Sequence, residues 1–254
     1  MLDGAARVKD LFEGAERMGM PAIAMTDHGN MFGAYEFYKT SKDYNVKPII
    51  GLEAYLTPRT HRSERKRVQF GDGTGDDVSA RGAYTHMTLL AANPAGMHNL
   101  FRLSSRSSLE GFFYKPRADR EILNQYGKGL IGMTGCPSGE VQTFLRLGQY
   151  EKAVEAAAEF RDIFGEGNYY VELMDHDLGI ERRIRGDLLR LARDLKLPLV
   201  ATNDLHYVHA EDADAHDTLL CVSSGSRKAQ VDRFRFDGSG YHLKSPAEMR
   251  ALFS

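Results

Sequence analysis

Side chains of the kinds that bind metal ions follow several predicted strands. They stand where an apolar run ends and a loop begins, at His28, Glu53, Cys136, Asp204 and His206. In a barrel of alternating strands and helices, such positions meet at one mouth. Imidazole, carboxylate and thiolate together suit zinc, manganese or iron better than calcium or magnesium. Such ions lower the pKa of a bound water, so the pattern predicts a site that can supply hydroxide near neutral pH.

Taken one at a time, these residues have ordinary explanations. A lone cysteine such as Cys136 is more often a small buried residue than a ligand. An aspartate after a strand, such as Asp204, is commonly a turn or cap residue, and His206 alone would be unremarkable. The recurrence at strand ends still favours a metal site, because random placement would put several of these residues on helix faces.

A second cluster pairs aromatic rings with cations in the tract Phe112-Phe113-Tyr114-Lys115-Pro116-Arg117. This tract could stack a nucleobase and hold a phosphate. It could also be a buried aromatic corner with solvated charges, which residue chemistry alone favours by about two to one. The basic run at 59–67 could touch a nucleic-acid backbone, although a solvated loop is the safer interpretation.

Alternating helices and strands must position these side chains. Apolar periodicity predicts helices at 4–19, 31–44, 94–110, 118–127, 138–147, 150–164, 178–196 and 246–253. It predicts strands at 21–25, 46–56, 84–92, 130–134, 169–174, 199–202 and 241–244. This alternation indicates a mostly parallel sheet, and so many units favour an α/β barrel over an open sheet. His86 opens its strand, which is therefore expected to run the other way or to bend, and 58–83 is expected to form a long polar insertion.

Composition limits the possible functions without choosing one. The 254 residues carry a net charge of −2, so the chain as a whole has no electrostatic footprint for nucleic acid. No apolar run approaches the roughly 18 residues of a membrane helix, and the first residues lack the apolar core of a signal peptide. We therefore expect a cytoplasmic protein in which Cys136 and Cys221 are reduced thiols.

Seven tracts, in order along the chain, resemble motifs of the PHP (polymerase and histidinol phosphatase) domain of bacterial replicative DNA polymerase III alpha subunits. They are Leu2-Asp3-Gly4-Ala5, Met25-Thr26-Asp27-His28-Gly29-Asn30, Pro48-Ile49-Ile50-Gly51-Leu52-Glu53, Tyr84-Thr85-His86, Tyr114-Lys115-Pro116-Arg117, Thr134-Gly135-Cys136-Pro137-Ser138-Gly139-Glu140 and Ala201-Thr202-Asn203-Asp204-Leu205-His206-Tyr207. The resemblance continues through a closing tract at 241–249. Any one tract would be weak evidence, but seven in order are highly specific.

The resemblance implies a distorted seven-stranded, TIM-like α/β barrel of the PHP type. It implies up to three metal ions, zinc or manganese in the first place, held by Asp3, His28, Glu53, His86, Cys136, Asp204 and His206. It divides the chain into a barrel core at 1–208 and a C-terminal part at 209–254 that leads toward a polymerase palm. The family pattern begins with a strand bearing His-x-His-Thr directly before Leu-Asp-Gly, where this sequence has Met1. We therefore expect the first strand and two ligands to be missing, which should lower the occupancy of the metal site.

Members of the family that keep these ligands can remove nucleotides from a primer 3′ end. The resemblance thus implies a metal-dependent 3′–5′ exonuclease whose substrate is the DNA primer end. It also implies partners, the sliding clamp and a proofreading subunit, reached through the full-length polymerase. Arg117 is expected to contact a phosphate, and Tyr207 to stack on or orient a base. Two alternatives stay open: an inactive scaffold that stabilises the polymerase and docks a proofreading subunit, and a free-standing phosphoesterase acting on small phosphate esters.

Overall fold

The computed structural model describes residues 3–70 and 80–253, so the glycine- and aspartate-rich part of the expected insertion, 71–79, lies outside the described residues. The strands are β1 (Ala22–Met25), β2 (Lys47–Leu56), β3 (Thr85–Ala91), β4 (Arg117–Ala118), β5 (Leu130–Met133), β6 (Tyr169–Leu173) and β7 (Leu199–Ala201). The α-helices are α1 (Val8–Arg17), α2 (Ala34–Thr40), α3 (Pro94–Glu110), α4 (Arg120–Tyr126), α5 (Glu140–Arg146), α6 (Tyr150–Phe164), α7 (Gly179–Leu195), α8 (Ala213–Ser224) and α9 (Pro246–Phe253).

The strands form one mixed sheet in the order β1-β2-β3-β5-β6-β7, with β4 beside β2. Strands about 4.8 Å apart would place the edge strands of a flat sheet of this order about 24 Å from each other. However, His28 after β1 and His206 after β7 contribute ligand atoms to one group whose members lie within 4.8 Å. The sheet therefore curls into a half-barrel with its helices around it, which confirms the expected barrel-like α/β fold.

Strand β3 brings His86 to the same end of the sheet as His28. It pairs antiparallel with β2, where Glu53 faces Thr88, and antiparallel with β5. Because β3 runs against its neighbours, its first residues lie at the mouth where the parallel strands end. The sequence left open whether this strand runs the other way or bends, and the structure shows that it runs the other way.

The strand expected at 241–244 does not form. In that segment the Tyr241 carbonyl accepts from the amides of both His206 and Tyr207, and the Leu243 amide donates to the Val208 carbonyl. Two amides converging on one carbonyl do not continue into a ladder, so the segment stays irregular. It still packs on the barrel, since a Cβ added at Gly14 in α1 would lie 2.8 Å from Leu243 Cδ2. The helix expected at 118–127 begins two residues later, because residues 117–118 form β4.

Two apolar cores hold the strands in place. The larger one lies between the sheet and helices α3 to α7, and Leu56, Leu89 and Leu100 are fully buried in it. The smaller one lies under α1 and α2, where Phe12 and Phe37 pack with ring centroids 4.7 Å apart. Complete burial of each such side chain contributes about 1.5–3 kcal/mol. The cores therefore fix the strand ends that carry the metal-type side chains. Among the described residues, no helix is long and apolar enough to cross a membrane.

Candidate metal centre

His28 lies at the middle of the barrel mouth, between two carboxylates. It follows β1 and forms a parallel bridge with Glu53 in β2. Its Nε2 lies 2.9 Å from Asp3 Oδ2, and its Nδ1 lies 3.2 Å from Glu53 Oε2. The ring also stacks on Tyr55, with centroids 5.8 Å apart. Glu53 lies inside β2, which continues to Leu56. The expectation that Glu53 ends a strand is therefore wrong, although its side chain lies at the mouth as expected.

Glu53 also joins His86 and Cys136. Its Oε1 lies 2.6 Å from His86 Nδ1, and Cys136 Sγ lies 3.6 Å from the same nitrogen. The Cys136 loop reaches the mouth through Gly135, whose φ of 86° is one that glycine adopts readily. It is tied to β3 because the His86 amide donates to the Ser138 carbonyl at 3.0 Å.

Asp204 and His206 come from the loop after β7. Asp204 has a φ of 42°, in the left-handed region, and its carbonyl lies 2.7 Å from His206 Nδ1. That contact leaves Nε2 of His206 to share a group with Asp3 and His28. The His206 carbonyl accepts from the amides of Ala5 and Ala6, at 2.7 and 3.1 Å, which brings the segment of Asp3 to the mouth.

These side chains fit divalent ions. Two groups, Asp3–His28–His206 and His28–Glu53–His86, each offer ligand atoms within 4.8 Å of one another. That spacing suits ions bound at about 2.0–2.3 Å from nitrogen, oxygen or sulfur. In addition, His28 Nδ1 is buried without a hydrogen bond, even though Glu53 is near. An orphaned imidazole nitrogen facing a carboxylate is what a ligand leaves when its ion is removed.

A third cluster of metal-type residues does not fit an ion. His61, Asp119 and Glu121 lie close together at the start of α4. However, the Arg62 guanidinium already lies among them, 3.1 Å from Asp119 and 3.3 Å from Glu121. That cation takes the place that a metal would need, so the cluster is an ion-pair network.

The protonation states of the side chains at the mouth follow from their burial and from the charges beside them. Burial alone would lower the pKa of His28, but the Asp3 and Glu53 carboxylates raise it to about 9. The hydrogen bond from His28 holds the pKa of Asp3 well below its usual range. Burial and the Glu53 charge raise the pKa of the Cys136 thiol. Burial likewise raises the pKa of Asp204, despite the opposing charge of His206. Without a metal, His28 and Cys136 therefore both carry a proton at neutral pH.

Metal binding is accordingly expected to release protons. A ligand imidazole or thiol must lose its proton, so the affinity for Zn²⁺ or Mn²⁺ should rise as the pH approaches the pKa of His28, about 9. Calorimetric titration in two buffers of different ionisation enthalpy checks this directly. The heats should differ by an amount that corresponds to at least one proton per chain. Equal heats in both buffers would contradict ligation by His28 and Cys136.

Glu172 is a buried carboxylate under the centre. Its oxygens accept from the Gly135 amide at 3.0 Å, from Thr88 Oγ1 at 3.0 Å and from Thr202 Oγ1 at 2.7 Å. Glu172 thereby ties β3 and the loop that carries Cys136 to the end of β7. A glutamate within a predicted strand gives no sign of such a role.

Glu172 should make stability depend on pH. Burial raises its pKa from 4.5 to about 7, although hydrogen bonds from Thr202 and Thr88 oppose the shift. The folded chain then binds more protons than the unfolded chain between pH 4.5 and 7, so this carboxyl lowers stability as the pH rises through that window. The loss is at most about 3 kcal/mol. Urea unfolding in chelator at pH 5 and pH 7.5 should show a smaller fall in Glu172→Gln than in the wild type, because the raised pKa of His28 contributes to the fall in both. The exposed change Glu166→Gln serves as control, and a fall that persists unchanged in Glu172→Gln would refute the assignment.

Two further histidines support the centre from behind. His216 in α8 is buried, and its Nε2 bonds the carbonyl of Asp3. His176 is bound to Glu181 at 2.8 Å and to the carbonyl of Asn203, next to Asp204, at 2.7 Å. Both are core residues: His216 holds the backbone of the candidate ligand Asp3, and His176 holds the residue before Asp204.

The structure does not bring Arg117 or Tyr207 to the metal centre. The Arg117 side chain is fully buried, and its guanidinium donates to the carbonyls of Gly111, Ala83, Arg62 and Glu64 at 2.9–3.1 Å. With its donors used in this way, it cannot bind a phosphate, so that expectation is wrong. Tyr207 is 5% exposed and packs beside His216, with ring centroids 5.3 Å apart. Its ring is therefore not open to a base, and the stacking role is wrong as well.

Comparison with known proteins agrees with this geometry. Residues 1–176 match the PHP domain family. The chain is 56% identical to DNA polymerase III subunit alpha of Saccharopolyspora erythraea, over 98% of this chain and 22% of that protein. The corresponding values are 52%, 100% and 22% for Mycobacterium tuberculosis, and 43%, 99% and 20% for Thermus aquaticus. The chain thus spans about a fifth of the length of these relatives. On the family match, which extends over more than half of its residues, the chain belongs to the PHP domain family.

Proposed function

We propose that this chain is a metal-dependent 3′–5′ exonuclease domain of a replicative DNA polymerase III alpha subunit. The observation that carries the proposal is the convergence of carboxylate, imidazole and thiol groups on one barrel mouth. The relatives named above are polymerase III alpha subunits, which makes the DNA primer 3′ end the proposed substrate. The proposal places the protein in the cytoplasm, with the sliding clamp and a proofreading subunit as partners of the whole polymerase.

Zinc or manganese ions would be held by Asp3, His28, Glu53, His86, Cys136, Asp204 and His206. When bound, such ions activate a water molecule and stabilise the negative charge on the scissile phosphate. Glu53 would be a central ligand of this set, because its two oxygens face His28 and His86.

The chain's own residues orient this site. Tyr55 packs against the rings of both His28 and His86, with centroids 5.8 and 5.1 Å apart, and keeps these imidazoles aimed at Glu53. Glu172, His176 and His216 hold the three loops that bring in Cys136, Asp204 and Asp3. Outer partners of this kind fix the direction of a ligand, and their removal commonly costs 10- to 100-fold in metal affinity or activity.

A primer-degradation assay tests the proposal. A 5′-labelled primer–template is incubated with the chain and Mn²⁺ or Zn²⁺, and the products are resolved by length. We expect shortening from the 3′ end one nucleotide at a time, with mononucleotides as the released product. Intact primer with every metal, in a protein that holds its ions, would reject the exonuclease and favour the scaffold.

The two cysteines provide a matched control for this assay. Cys136 lies in the centre, whereas Cys221 is buried in α8. Cys136→Ser should remove most of the activity and Cys221→Ser should retain it. Equal activity in both variants would mean that a contaminating nuclease or a different site degrades the primer.

A further inference from the structure

A surface beside the metal centre has the composition of a binding site for single-stranded nucleic acid. We call it the Tyr114 corner, and it consists of Arg67, Phe113, Tyr114 and Lys115. The corner adjoins the loop that follows His28 through the next residue, Pro116, since a Cβ added at Gly29 would lie 2.9 Å from Pro116 Cγ. It therefore borders the mouth to which a primer end must come.

Tyr114 is held in a costly conformation that leaves its ring exposed. Its φ is 63°, in the left-handed region that bulky residues rarely adopt. The ring is 60% exposed and lies 4.5 Å from that of Phe113, centroid to centroid. Glycine would make the same turn without strain, and an exposed ring stabilises the fold little. Strain of this kind persists where a function requires it.

Two cations lie over tyrosine rings at the corner, one over Tyr114 and one over the neighbouring Tyr55. The guanidinium carbon of Arg67 lies 5.1 Å from the Tyr114 ring centroid. Lys115 Nζ lies 5.6 Å from the Tyr55 ring centroid, on the side chain that stacks against His28. Within residues 3–70 and 80–253, neither cation pairs with a carboxylate, whereas Arg59 and Arg62 both do. The corner thus leads from the metal centre through Lys115 to Tyr114 and Arg67.

We propose that the Tyr114 corner binds the terminal nucleotides of single-stranded DNA, which rests on the proposed function. The Tyr114 ring stacks on a base, and Lys115 and Arg67 contact the adjoining phosphates. Stacking on aromatic rings combined with cations along the backbone is how proteins hold single strands without reading sequence. Of the two cations in the tract at 112–117, Lys115 takes the phosphate-binding role that the sequence suggested for Arg117.

Binding of a fluorescent oligo-dT, followed by anisotropy in chelator, tests this proposal without any metal or cleavage. Tyr114→Gly should weaken binding by about 5- to 100-fold, because the stacking platform is lost. Its melting temperature should be equal to or above that of the wild type, because glycine relieves the strain. This combination separates a binding residue from a structural one. A variant that binds like the wild type, or one whose lost binding comes with a lower melting temperature, would overturn the proposal.

Lys115→Ala provides a second test, with Lys42→Ala as its matched control. Lys42 Nζ lies 4.1 Å from the Tyr38 ring centroid at the end of α2, so it is, like Lys115, a cation over a tyrosine ring. Lys115→Ala should weaken oligo-dT binding and reduce its salt dependence by about one phosphate contact, and Lys42→Ala should change neither. An equal effect of both variants would show only general charge attraction and would overturn the assignment.

The outcomes also distinguish this proposal from the proposed function. If the chain binds oligo-dT through Tyr114 but never shortens a primer, the binding role of the Tyr114 corner is supported and the exonuclease proposal is wrong. If the chain shortens primers while Tyr114→Gly retains wild-type affinity, the exonuclease stands and the corner is wrong.

Discussion

Replacing Glu53 with glutamine should lower both the affinity for divalent ions and the rate of primer shortening by at least about 100-fold. Outer partners of metal ligands alone are worth 10- to 100-fold, and Glu53 is placed as a ligand itself, between His28 and His86. Its oxygens lie 3.2 Å from His28 and 2.6 Å from His86. Glutamine keeps the size of the side chain but removes the negative charge that an ion needs. Metal content by mass spectrometry and single-turnover primer degradation measure the two effects.

Glu155→Gln is the control for this change. Glu155 lies on the surface of α6, where it pairs with Arg59 at 3.1 Å. That variant should keep full metal content and activity, because an exposed ion pair contributes only about 0–1 kcal/mol. A Glu53→Gln chain that bound and cleaved like the wild type would remove the main support for the metal centre.

Replacing Arg117 with lysine should destabilise the fold by about 3 kcal/mol or more, although it keeps the charge. The Arg117 guanidinium is fully buried over the Phe113 ring and serves four backbone carbonyls that lysine cannot reach together. A buried acceptor that loses its donor costs about 1–3 kcal/mol. Because a whole domain is stable by only about 5–15 kcal/mol, the variant should unfold at clearly lower urea concentration.

Arg102→Lys, on the exposed face of α3, should stay within about 0.5 kcal/mol of the wild type. The comparison separates a structural Arg117 from a functional one. If Arg117→Lys kept wild-type stability but lost oligo-dT binding, Arg117 would be a phosphate contact, contrary to what the structure indicates.

The sequence predicted the mouth of the barrel well, and for a physical reason. Parallel strands end together, so metal-type side chains after successive apolar runs, such as His28, Cys136 and His206, must come close. His86 agreed with this picture only if its strand ran the other way, and β3 does. The resemblance to the PHP family supplied Asp3, which no pattern of strands could have indicated.

What the sequence could not supply were contacts between residues far apart in the chain. His216 reaches the carbonyl of Asp3 over 213 positions, and Glu172 reaches Gly135 over 37. Such partners are ordinary helix or strand residues until the fold is known. For the same reason, the tract at 112–117 could not be divided in advance into a buried Arg117 and an exposed Tyr114. The expected strand at 241–244 failed because apolar alternation says nothing about whether a partner strand is present.

The most direct test of the central claim is the number of metal ions that the chain holds. Native mass spectrometry on wild-type protein, loaded with Mn²⁺ or Zn²⁺ and desalted, should show at least one ion per chain, because Asp3–His28–His206 and His28–Glu53–His86 both bring ligand atoms within 4.8 Å of one another. The Glu53→Gln chain, treated in the same way, should retain fewer. A wild-type chain that retains no ion, or a variant that retains as many as the wild type, would contradict the metal centre and favour the scaffold.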